Sequence, residues 1–96
     1  MTFPQAILIR SDGSSEPLSS ALNKDSIREM IDAASLCVMT LWKHRATMYV
    51  DDLGANLNLP VNSRATQLYL EHCRPGTDWS IRGDVVIVPD GRGSMQ

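Results

Sequence analysis

Asn62, Arg64 and Thr66 stand at alternate positions where a helix-forming segment begins, directly after Leu59-Pro60-Val61. That grouping could hold an anion. The first N–H groups of a helix lack partners, and a guanidinium beside them pairs with phosphate or carboxylate. The same residues also have a structural reading. Asn62 can accept from a backbone N–H as the helix cap, worth about 1 kcal/mol, and Pro60 stiffens the approach. Arg64 in the first turn runs against the helix dipole. It therefore calls for a carboxylate partner: Asp51, Asp52 or Asp84. The structural reading takes precedence, and the anion site stands as its alternative.

Asp51 and Asp52 form the second group. Paired carboxylates could ligate a hard cation or serve as acid and base. Neighbours on a strand point to opposite faces, however, and are poorly placed to share one metal. A turn or a solvated strand end is expected, and Asp84 is read as structural. His44 and His72 are the only histidines. His72 adjoins Cys73, but helix neighbours do not face each other as a Cys–His nucleophile requires. No nucleophile elbow, phosphate loop or zinc spacing is present. No catalytic residue, metal site or cofactor is expected, and the chain is read as a non-enzyme. Aromatics dominate interface hot spots. Trp79, after Pro75-Gly76, is the aromatic expected at the surface, while Trp42 and Tyr49 are expected in the core. The candidate binding residues are Asp51, Asp52, Asn62, Arg64 and Trp79.

Several elements must position these side chains. Residues 5–10 read as a strand, and Ser11-Asp12-Gly13-Ser14 as a turn. Residues 15–18 read as a short partner strand that Pro17 confines to an edge. A helix is expected over about residues 24–34, capped by Asn23 or Asp25, with Ser26 and Glu29 also at capping-box spacing. Ile27, Met30, Ile31 and Ala34 recur on one face. Leu36 to Trp42 is nearly continuous apolar and reads as a central strand buried on both faces, with a helical continuation as the alternative that periodicity leaves open. Lys43-His44-Arg45 would be a solvated three-residue hairpin loop leading to a strand at 46–50. There Met48 and Val50 face one side and Thr47 and Tyr49 the other. A second helix follows, capped by Asn62 or Ser63 and ended by Arg74-Pro75-Gly76. Val85-Val86-Ile87-Val88 is the clearest strand. The expected architecture is a small single α+β domain over residues 1–91: a mainly antiparallel sheet with two short helices packed on one face. Residues 92–96 would be a disordered tail.

The chain has 96 residues, 43% of them hydrophobic and 21% charged, enough for one modest core. Nine basic against eleven acidic residues give a net charge of −2. No large basic field is available, so a nucleic-acid partner is not expected. Cys37 and Cys73 lie in apolar patterns and are expected reduced. No signal peptide or spanning segment is expected, which gives a cytoplasmic, soluble protein.

Three segments occur in order: Tyr49-Val50-Asp51-Asp52-Leu53-Gly54, Leu59-Pro60-Val61-Asn62-Ser63-Arg64-Ala65-Thr66, and Ile81-Arg82-Gly83-Asp84-Val85-Val86-Ile87-Val88. Together they resemble domain-of-unknown-function family 3846, frequent in bacteriophage and plasmid genomes. The strand and Asp-Gly turn from Ile7 to Gly13 resemble that family's usual start. The resemblance implies a small mobile-element protein in the cytoplasm of a host cell. It implies no reaction. The expected function is an accessory protein that binds and modulates a host protein, in host takeover or anti-defence, without catalysis. In that reading the exposed Trp79, His44 and Arg45 matter. The alternative is sequestration of a small anionic, nucleotide-like ligand at the helix start near Asn62 and Arg64. A homodimer is a further expectation, with no surface assigned.

Overall fold

The computed structural model of the chain describes residues 5–18, 22–53, 57–73, 75–76 and 79–89. The expected tail at 92–96 lies outside them. The element order is β1 (Ala6–Ile9), β2 (Ser15–Leu18), α1 (Lys24–Met30), β3 (Leu36–Leu41), a 3-10 turn (Trp42–His44), β4 (Ala46–Asp51), α2 (Ser63–Leu70) and β5 (Val85–Pro89). The strands form one five-stranded sheet in the order β2-β1-β5-β4-β3. All its pairings are antiparallel. The α+β class and the antiparallel sheet are as the sequence leads one to expect.

The placement of the helices is not. Cross-strand partners share a face. Ile7 lies opposite Ile87 and Met48 opposite Ile87, while Leu8 lies opposite Val86 and Tyr49 opposite Val86. Ile9, Met48, Val50, Val85 and Ile87 pack with Ala65, Leu68 and Tyr69 of α2. Leu8 and Val86 pack instead with Ile27 in the middle of α1 and Ile31 just past its end. The two helices therefore cover opposite faces, and the sheet is the middle of three layers. This explains the unbroken Val85-Val86-Ile87-Val88. A strand with a helix on either side must be apolar on both.

The strand expected to be central is also displaced. Among the described residues β3 pairs only with β4 and closes one edge of the sheet, with Val38 and Thr40 exposed. Its apolar run resembles that of β5, and composition alone cannot rank the two. The helix α1 stops four residues before the expected end. Asp32 adopts a left-handed φ of 52°, and the Ala33 N–H closes on the carbonyl of Arg28 at 2.9 Å. Its cap is a reciprocal pair. The Asn23 side chain accepts from the Ser26 N–H, and Ser26 Oγ accepts from the Asn23 N–H. Glu29 takes no part in it.

Trp42 leaves the strand and is 63% exposed, contrary to its expected place in the core. The β3–β4 link runs from Trp42 to Arg45, one residue longer than expected, and closes with Arg45 at a left-handed φ of 52°. Nor is it merely a solvated loop. It docks on the C-terminal end of α2. Lys43 Nζ donates to the Glu71 carbonyl at 2.7 Å, and the Lys43 N–H donates to His72 Nε2 at 3.0 Å. His44 Nε2 lies 2.6 Å from the Glu71 carboxylate. A cation at those last carbonyls suits the helix dipole. Among the described residues no helix is long and apolar enough to cross a membrane.

Candidate functional site

The two segments that open α2 and precede β5 pack against each other. Val61 and Arg82 form an isolated antiparallel bridge. The Asn62 N–H donates to the Ile81 carbonyl at 2.8 Å, and the Gly83 N–H to the Pro60 carbonyl at 2.8 Å. Arg82 Nη1 donates to the Leu59 carbonyl at 2.9 Å. Gly83 takes a φ of +85°, and a Cβ there would stand 2.9 Å from Leu59 Cδ1. Glycine suits both the left-handed backbone and the close approach.

Asn62 is the centre of this junction. It is only 1% exposed. Its Oδ1 accepts from the Ala65 N–H at 3.0 Å and so caps α2. Its Nδ2 donates to the Ile9 carbonyl at 3.1 Å and to the Gly83 carbonyl at 3.0 Å. One carboxamide thus fixes the helix start, the end of β1 and the turn before β5. One helical turn on, Thr66 continues the staple. Its hydroxyl accepts from the Ile81 N–H at 2.9 Å and donates back to the Ile81 carbonyl at 3.3 Å. The Asn-x-Arg-Ala-Thr spacing places both polar groups on the inner side of α2.

Arg64 lies on the outer side, exposed. It makes no ion pair among the described residues, so the expected bridge to Asp51, Asp52 or Asp84 is not formed. Asp84 instead accepts from the Ser11 N–H at 3.0 Å and holds the β1–β2 turn.

Asp51 ends β4 and opens the expected turn, but it is buried, 6% exposed, rather than solvated. Its carboxylate accepts from the Leu53 N–H at 2.9 Å and from the Ala34 N–H at 3.4 Å. It ties the end of β4 to the segment entering β3. Asp52 is exposed and contributes its backbone, with its N–H 2.7 Å from the Ser35 carbonyl. The opposite orientations follow from the strand's alternation.

Three of the five candidate residues do converge. Asp51, Asp52 and Trp79 line one cleft with Cys37, Met39, Val50, Ile81 and Arg82. Trp79 is 53% exposed, as its loop position suggested. The cleft encloses about 40 Å³, room for a few waters where ligand sites usually span roughly 300–1,000 Å³. Asn62 and Arg64 do not reach it. Arg82, Cys37 and Met39 were missed as cleft residues. Cys37 and Met39 were legible in part, since strand alternation puts them on one side. Arg82 was not, because the bridge to Val61 is non-local.

The second polar cluster, at the C-terminal end of α2, was not foreseen. His72 Nε2 accepts from the Lys43 N–H, so its Nδ1 carries the proton donated to the Leu68 carbonyl at 2.9 Å. Trp42 meets the His72 ring edge-on at 5.2 Å. The His44 hydrogen bond, with the nearby His72 and Lys43, holds the Glu71 carboxyl below its ordinary value. Among the described residues no group of three metal-binding side chains forms.

Compared with protein-family models, with curated proteins and with solved structures, the chain matches none.

Proposed function

We propose that this chain is a small phage- or plasmid-borne accessory protein that binds a host protein and modulates it without chemistry of its own. The observation that carries the reading is Trp79. A large aromatic stands half exposed at a cleft that Arg82 and the exposed Asp52 also line. Tryptophan and arginine are the residues that concentrate binding energy at protein interfaces. The resemblance to family 3846 supports the mobile-element origin. It also supports a host-cell setting for host takeover or anti-defence.

The nucleotide-like ligand at the start of α2 draws less support. The Asn62 carboxamide is spent on Ala65, Ile9 and Gly83, which leaves Arg64 without its expected companion.

Affinity capture from host cells with tagged wild type, Trp79→Ala and Arg64→Ala tests the reading. Trp79→Ala should lose a captured polypeptide that wild type and Arg64→Ala retain, with unchanged circular dichroism. Equal capture by all three would refute Trp79 as the binding centre.

A further inference from the structure

We propose that β3 pairs edge to edge with β3 of a second copy of this chain, antiparallel and centred on Val38. The two five-stranded sheets would then run together as one. This inference does not depend on host-protein binding, although Cys37 and Met39 of the same strand also line the Trp79 cleft.

The two edges of the sheet are unlike. β2, Ser15-Glu16-Pro17-Leu18, carries a charge and a proline, the devices that blunt an edge against pairing. β3, Leu36-Cys37-Val38-Met39-Thr40-Leu41, carries neither and is longer, six residues against four. Long, uncharged and apolar edges are templates for another strand.

The hydrogen-bond phase of β3 fixes which groups are open. The Asp52 N–H bonds the Ser35 carbonyl, and the register runs Leu36↔Asp51, Cys37↔Val50, Val38↔Tyr49. Antiparallel ladders alternate bonded and non-bonded pairs. Cys37, Met39 and Leu41 therefore point their backbone groups at β4, and Leu36, Val38 and Thr40 point theirs outward. A two-fold axis at Val38 sets Leu36 opposite Thr40 of the second copy and Val38 opposite Val38. Every outward N–H and C=O of the strand then finds a partner, whereas sliding one strand by a single residue sets outward groups against inward-facing ones.

Side chains agree with that register. Val38, 47% exposed, meets its own copy. The charges are complementary as well. The exposed Asp52 lies beside the start of β3, and the exposed Arg45 follows its end. Antiparallel pairing brings the Asp52 end of each copy to the Arg45 end of the other. Such a contact is at the small end of specific interfaces, so dissociation in roughly the micromolar range is expected.

Light scattering on the full chain over a dilution series tests the proposal, with far-UV circular dichroism as the check on folding. Wild type should show twice the mass of one chain at high concentration and fall toward one on dilution. Val38→Lys sets two cations across the axis and should give the single-chain mass with an unchanged spectrum. Ser15→Lys, on the other edge, should behave as wild type. Val38→Cys should cross-link under mild oxidation where wild type does not, because directly opposed Cα atoms at about 5.5 Å suit a disulfide. That readout holds even if Val38→Lys fails to fold. A single-chain mass for wild type throughout would overturn self-pairing and leave the edge to an extended segment of a foreign protein. A folded Val38→Lys dimer, or the absence of a Val38→Cys cross-link, would overturn it too.

Discussion

Asn62 and Ile9, 53 positions apart in the sequence, are joined by a buried hydrogen bond of 3.1 Å from the carboxamide to the backbone carbonyl. The same side chain caps α2 and holds Gly83. Asn62→Ala should therefore cost more than the loss of a helix cap. The cap is worth about 1 kcal/mol, and buried carbonyls left unpaired add to it, for a total of about 2–4 kcal/mol. Asn62→Asp keeps the cap acceptor but loses both donors, and should be destabilised comparably. Urea unfolding measures both. A cost no larger than that of an ordinary exposed cap would contradict the three-way staple.

Gly83→Ala should destabilise by about 1–2 kcal/mol through its left-handed backbone. The 2.9 Å approach to Leu59 Cδ1 adds strain that a flexible side chain can partly relieve. In a Leu59→Ala background the clash vanishes and the backbone term remains. The double-mutant cycle should show a small favourable coupling. Full rescue by Leu59→Ala would mean that the contact, not the φ angle, selects glycine.

Arg64→Ala should change stability by no more than about 0.5 kcal/mol, since the residue is exposed and its helix dipole interaction is unfavourable. Inorganic phosphate and nucleotides should not raise the melting temperature of the wild type. Stabilisation by either, abolished in Arg64→Ala, would revive the anion reading.

The acid limb of the stability curve should carry a small contribution from Glu71. Its folded-state carboxyl lies below the ordinary value of 4.5, first through the His44 hydrogen bond. A depressed carboxylate stabilises the fold fully above its unfolded value and loses that contribution as pH falls through the folded one. The loss therefore begins below about pH 4.5. Glu71 is exposed at the surface, so the effect should be small and weakened by salt. Melting curves of wild type and Glu71→Gln from neutral pH down should converge at the acid end. Parallel curves at every pH would contradict the pairing.

Local chemistry was the legible part. The Asn23 and Asn62 caps, the Asp12-Gly13 turn, the Pro17 edge and the in-out alternation of Met48 and Val50 all act over a few residues, and the chain displays them directly. Long-range choices were not displayed. The runs of β3 and β5 are similarly apolar, and only the layer arrangement makes one an edge and the other the centre. The opposite-face packing of Ile27 and Ala65 is likewise a property of the assembled sheet. For the candidate site, the exposure of Trp79 could be anticipated from its loop. The burial of Asp51 and the docking of Lys43 and His44 on Glu71 and His72 depend on backbone groups distant in sequence.

In the proposed reading Leu59 to Thr66 and Ile81 to Val88 build the fold, and Trp79 is the contact for a partner protein. Native mass spectrometry of the tagged chain recovered from host cells tests it most directly. A complex with a foreign polypeptide of defined mass is expected, absent from the Trp79→Ala sample although that variant remains folded. A small-molecule adduct, or the same foreign polypeptide still bound to Trp79→Ala, would contradict it.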